Sequence, residues 1–180
     1  MEFHNIFIAF LFFILGTLAG SFLSVFVLRL IKGEGFVLGR SKCSSCKKNL
    51  KPYDLVPVFS YIFLRGRCRN CEAKIGAFYP ILEILTGLVF ALFYLRFGYL
   101  WINSGGLGLF SVLTFFILYL SVSMVLIAVA AYDYRTMIIP DKILIPSISV
   151  LLVSLLLAKM FGLESFSYEI EWVNIILGVL

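Results

Sequence analysis

Residues 107–132 run for 26 positions without one charged side chain. About 20 apolar residues suffice to cross the roughly 30 Å hydrocarbon layer of a bilayer. A chain with such a run has few ways to fold in water, and the rest of the sequence agrees. Hydrophobic residues make up 62% and charged residues 14% of the 180 positions, too little polar surface to coat a soluble domain of this size. Further apolar runs occupy Ile6–Leu30, Tyr79–Leu95 and Ile143–Ala158. Trp172–Leu180 reads as the start of another helix, too short by itself to cross. The expected fold is an all-α integral membrane protein, a polytopic helical bundle. The first run lacks a basic leader and a small-residue cleavage site, so it is expected to remain as an anchor. The net charge of +5 sits in a strongly apolar context and does not suggest nucleic-acid binding.

Lysine and arginine are distributed unevenly, which predicts sidedness. Ten of them lie between Leu30 and Tyr79, whereas the loop after Leu95 opens with Arg96 alone. Arg135 and Lys142 follow the third run, and Lys159 stands against Glu164, Glu169 and Glu171 after the fourth. By the positive-inside rule this alternation places the N-terminus outside, and both the first loop and the 133–141 region in the cytoplasm.

That first loop holds all four cysteines of the chain as two pairs, Cys43/Cys46 and Cys68/Cys71, each Cys-x2-Cys. In a reducing compartment the pattern points to a closed tetrahedral zinc site with a structural role, and away from disulfides. A loop with so few apolar residues would draw much of its folding energy from the metal. No βαβ pattern surrounds either pair, which disfavours a thioredoxin-like redox reading.

Three carboxylates stand at places where a membrane protein rarely carries charge. Asp133 falls at the end of the uncharged run, where partial burial would suit one half of a proton-sharing pair; a helix-end carboxylate held by Arg135 is the plainer alternative. Asp141 follows Pro140 and can equally cap the next helix. Glu83 lies one turn into the second run and reads either as functional or as an interfacial carboxylate paired with a loop lysine or arginine.

Taken in order, these pieces resemble the type IV prepilin peptidase family. The resemblance rests on Gly20-Ser21-Phe22-Leu23-Ser24-Val25 with Arg29, on both cysteine pairs, and on Asp54-Leu55-Val56-Pro57-Val58-Phe59-Ser60-Tyr61. It continues through Leu64-Arg65-Gly66-Arg67-Cys68-Arg69-Asn70-Cys71 and Tyr79-Pro80-Ile81-Leu82-Glu83 to Asp133 and Ile139-Pro140-Asp141. It implies a membrane aspartyl endopeptidase that removes the basic leader from prepilins or pseudopilins at the cytoplasmic membrane face. It also implies N-methylation of the new terminus from S-adenosylmethionine, residence in the bacterial inner membrane, and Asp133 as the first catalytic aspartate. Asp141 and Glu83 are possible supporting carboxylates. Ser24 and Ile31 stand where the family usually has Asn and Pro, and the family's Gly-x-Gly-Asp segment with its second aspartate does not occur. The expectation is therefore an N-terminal portion of such an enzyme. It would divide into a first transmembrane helix (1–30), a four-cysteine metal loop (31–78) and a peptidase core (79–180). The competing reading is a catalytically incomplete membrane scaffold of a pilus or type II secretion system.

Overall fold

The computed structural model describes residues 3–33, 41–98, 109–137, 144–145, 147–149 and 152–153. Among these, the secondary structure is helical apart from turns and two isolated β-bridges in the cysteine loop. Helix α1 spans Phe3–Lys32. A short 3-10 turn at Pro52–Leu55 and the five-residue helix α2, Phe59–Phe63, lie in the loop. Helix α3 runs Phe78–Phe93 and continues into a wider, π-type turn at Tyr94–Gly98. Helix α4 covers Leu109–Thr136.

Three stretches are long and apolar enough to cross a membrane, Phe3–Lys32, Phe78–Arg96 and Phe116–Thr136, as a multi-pass membrane protein requires. They coincide with the first three runs of the sequence, with one consequential difference at the third. The sequence puts Asp133 in a turn beyond a helix ending near Tyr132, whereas α4 continues to Thr136, so Asp133 occupies its last turn. The Thr136 hydroxyl donates back to the Tyr132 carbonyl (3.0 Å), and the helix closes only when Met137 adopts a φ of 53°. Of the fourth run only a few helical positions fall within the described residues. The Trp172–Leu180 segment and Asp141 lie outside them.

Helices α1 and α3 form the most extensive pairing. Its cause is small residues at a fixed spacing. A Cβ on Gly16 would come within 2.7 Å of the Gly87 Cα and the Thr86 carbonyl; one on Gly20 would come within 2.9 Å of the Glu83 Cα. From the other side, a Cβ on Gly87 would meet Phe13 and Thr17 at 2.8 Å. Gly16-x3-Gly20 is the small-residue motif that lets transmembrane backbones approach closely. The polar residues trapped at this crossing satisfy themselves: Thr17, Ser24 and Thr86 each donate to a carbonyl of their own helix. Helix α4 then closes two clusters. One joins Leu23 and Val27 to Leu82, Ile127, Ala128 and Ala131; the other, toward the N-terminus of α1, joins Ala9 to Phe93, Tyr94 and Phe116.

Candidate metal centre and membrane-boundary carboxylates

The two cysteine pairs fold into the same local structure twice. In the first, the Cys43 amide donates to Lys48, the Lys47 amide donates back to Cys43, Lys47 has φ 58°, and Lys42 bridges to Asn49. In the second, Cys68 donates to Ala73, Glu72 donates back to Cys68, Glu72 has φ 55°, and Arg67 bridges to Lys74. Every offset is identical, so each Cys-x2-Cys is a closed knuckle built by its own backbone.

The knuckles face each other. All four sulfurs lie within 4.8 Å of one another, and Cys43 Sγ stands 3.8 Å from Cys71 Sγ. Four thiolates about 2.3 Å from a common tetrahedral ion would be spaced by about 3.8 Å, so the donor set fits a closed metal site. Electrostatics point the same way. The Cys46 backbone amide, with help from Ser45 and the neighbouring thiols, lowers the Cys43 pKa to about 6. At Cys71 the Ala73 amide favours the thiolate but is outweighed by desolvation and by the other three cysteines, and the pKa rises to about 11. One thiolate forms readily and the crowded set resists the last, a conflict that a bound cation removes.

The second knuckle is tied to the turn before α2. Arg69 donates through Nε (2.9 Å) and Nη2 (2.8 Å) to Asp54 Oδ1 and lies over the Tyr53 ring at 4.9 Å. The Asp54 side chain is only 5% exposed, so this charge pair is held in fixed geometry.

Glu83 departs from the interfacial lysine or arginine pairing that its sequence position allows. It is buried, and its Oε2 accepts the backbone N–H of Val58 at 2.7 Å, with Ser21 of α1 beside the same carboxylate. Val58 has φ 61° and ψ −51°, and Phe59 N–H donates to the Pro57 carbonyl across it at 2.5 Å. This is the positive-φ γ-turn, rare and strained, here at a β-branched residue. A buried carboxylate thus holds a strained turn of the loop against the α1–α3 crossing.

Asp133 is exposed, and among the described residues no side chain bonds or pairs with its carboxylate. Arg135, the partner the sequence offered for it, lies instead over the Phe78 ring at 4.2 Å. That stack brings the last turn of α4 to the first residue of α3, directly after the second knuckle. The carboxylate and the cysteine centre are therefore at the same end of the bundle. The γ-turn and the glycine crossing were missed in the sequence; for the crossing the signal was available as Gly16-x3-Gly20, for the turn there was none.

Residues 14–97 match the family model described as the bacterial peptidase A24 N-terminal domain. The chain is 35% identical over 133 residues to a prepilin leader peptidase/N-methyltransferase of Bacillus subtilis, covering 74% of this chain and 48% of the relative. It is 33% identical over 154 residues to one of Myxococcus xanthus (86% and 41%) and 30% identical over 173 residues to one of Pseudomonas aeruginosa (83% and 54%). The chain thus spans about half the length, or less, of these relatives, and no solved structure matches it. By the matched domain and by these relatives together, the chain carries a bacterial peptidase A24 N-terminal domain and is similar to prepilin leader peptidases.

Proposed function

We propose that the chain takes part in removing the basic leader from prepilins or pseudopilins at the cytoplasmic face of a bacterial inner membrane, with Asp133 as one catalytic carboxylate. The observation that carries the reading is the placement of an exposed carboxylate, unpaired among the described residues, on the last turn of α4, beside the start of α3 and on the cysteine-loop side of the bundle. A substrate whose scissile bond follows a basic leader and precedes an apolar helix presents that bond at this level of the bilayer. Two carboxylates sharing a proton activate water and protonate the leaving amine. Asp133 supplies one; Glu83, engaged by the Val58 amide, serves better as a positioning group. Asp141 and residues beyond this chain are the other sources for the second.

In this reading Cys43, Cys46, Cys68 and Cys71 hold a structural zinc that shapes the loop. N-methylation accompanies cleavage, as the relatives' names suggest, with S-adenosylmethionine as the donor that the family resemblance implies. Asp133→Asn in the complete protein removes at least the 10²–10⁴-fold in leader cleavage typical of a positioned acid–base group. It leaves membrane insertion and metal content unchanged. Cleavage of a prepilin in membranes, followed by mass, decides: a normal rate in Asp133→Asn removes the aspartyl assignment. Prepilin binding with no hydrolysis by the unsubstituted protein would favour the scaffold reading instead.

A further inference from the structure

The position of Val58 has a meaning for the membrane that the leader-peptidase activity does not supply. The α3 span, Phe78–Arg96, is 19 residues, about 28 Å of helix, so nearly all of it is needed to cross about 30 Å of hydrocarbon. Its first residue therefore marks the bilayer boundary, and Glu83, five residues on, lies about 7 Å inside. The Val58 amide is 2.7 Å from that carboxylate. The loop thus dips below the boundary at Val58, although it leaves α1 and enters α3 above it. A peptide N–H at such depth needs a partner within the protein, and Glu83 is that partner.

The residues around Val58 suit the same depth. Phe59, Ile62 and Phe63 of α2 are 62%, 64% and 83% exposed, and the neighbouring Leu55 and Val56 are exposed as well. On a soluble surface a cluster of this kind would be a liability. Ile81, on the part of α3 at this level, is 60% exposed for the ordinary reason that it faces lipid. In the chain the cluster is flanked by exposed Lys51 on one side and by exposed Arg65 and Arg67 on the other. An apolar face with cations behind it is the pattern of a segment lying in the interface of an anionic leaflet.

We propose that residues 55–63 form a re-entrant segment seated in the acyl region of the leaflet on the metal-knuckle side. Glu83 anchors it through the Val58 amide, and Phe59, Ile62 and Phe63 contact the chains of anionic phospholipid. The occupant is lipid because the Val58–Glu83 bond holds the segment against a membrane span and the residues flanking it are cationic; a second protein is the alternative that the test must detect.

The test uses the whole chain in nanodiscs of phosphatidylcholine and phosphatidylglycerol. Trp101→Phe and Trp172→Phe remove the native indoles, and Phe63→Trp or, independently, Ile62→Trp reports the segment. Lys74→Trp reports the exposed knuckle. Lipids brominated on the acyl chains are expected to quench Phe63→Trp and Ile62→Trp several-fold more than Lys74→Trp, and aqueous acrylamide the reverse. Brominated phosphatidylglycerol should quench more than brominated phosphatidylcholine at equal mole fraction. Glu83→Leu should open the Phe63→Trp probe to acrylamide, while Glu83→Gln, which still accepts the amide, should not. Acrylamide access equal to that of Lys74→Trp in both probes would overturn the proposal. So would protection from both quenchers, which would mean that protein covers the face. Equal quenching by the two brominated lipids would overturn the preference for anionic lipid, and an unchanged probe in Glu83→Leu would overturn the anchor.

Discussion

Two carboxylates, Glu83 and Asp133, sit on helices that meet at the same end of the bundle, and their surroundings divide the work between them. Glu83 is enclosed by α1, α3 and the γ-turn and has a backbone donor to satisfy. Asp133 faces outward with no partner among the described residues. Substitution should separate the two roles. Glu83→Leu leaves the Val58 N–H without an acceptor, a loss of about 1–3 kcal/mol that lowers the thermal unfolding midpoint in detergent, while Glu83→Gln recovers most of it. Asp133→Asn changes stability by no more than about 0.5 kcal/mol, as expected of an exposed site, and is felt in cleavage alone. A fall in stability with Asp133→Asn comparable to that of Glu83→Leu would mean that the aspartate is structural. The residue types announced that something ionisable stood here; the division between them was not legible, because it depends on Val58 taking a φ of 61°, which a valine gives no local reason to expect.

At the scale of the helices, the α1–α3 crossing is the element on which the rest is aligned. It sets Gly20 against Glu83 and so fixes the height at which the loop is held. Gly16→Leu forces a side chain into backbone at 2.7 Å and should cost about 1–3 kcal/mol or rearrange the pair, read as lost resistance to denaturing detergent. Gly76→Ala, with nothing within 4 Å of the added carbon, should leave the same measurement unchanged. The existence of three spans was legible from apolar runs alone, since lipid demands length and hydrophobicity before anything else. Their ends were less so. Helix α4 outruns the apolar stretch by four residues because α-helix tolerates Asp133, Tyr134 and Arg135 once they have left the hydrocarbon, and the Arg135–Phe78 stack rewards it.

For the molecule as a whole, a metal held by the four cysteines would stabilise the two knuckles, which the spans do not. Stripping the metal should leave the helices in place but make the 41–77 region susceptible to protease, and Cys68→Ser, at the buried ligand, should do so without a chelator. The pH dependence follows from the thiols. Ligands must be thiolates, so acid competes with the metal; in the metal-free protein the Cys43 pKa is lowered from 9.0 to about 6, so its stabilising contribution is full above about pH 9 and is lost as the pH falls from there through 6. Cys71, raised to about 11, is protonated across the neutral range. Alkylation of the stripped protein at pH 7, mapped by mass, should mark Cys43 ahead of Cys71, and the rate at Cys43 should fall steeply below about pH 5 while the order is kept. Equal labelling at pH 7 would contradict this ordering. The cysteine spacing made the centre legible in the sequence, because a tetrahedral ion imposes few other demands.

The repetition of one hydrogen-bonding scheme in both knuckles also bears on the order of assembly. Each half is closed by its own backbone hydrogen bonds, so a metal needs only one local turn to gather two sulfurs. The remaining search is then for the other half across the 21 residues between Cys46 and Cys68, a loop closure whose entropy changes only slowly with length. The centre should therefore load through a two-coordinate halfway state at either turn, and lengthening the spacer should slow that second step only weakly while leaving the finished coordination unchanged.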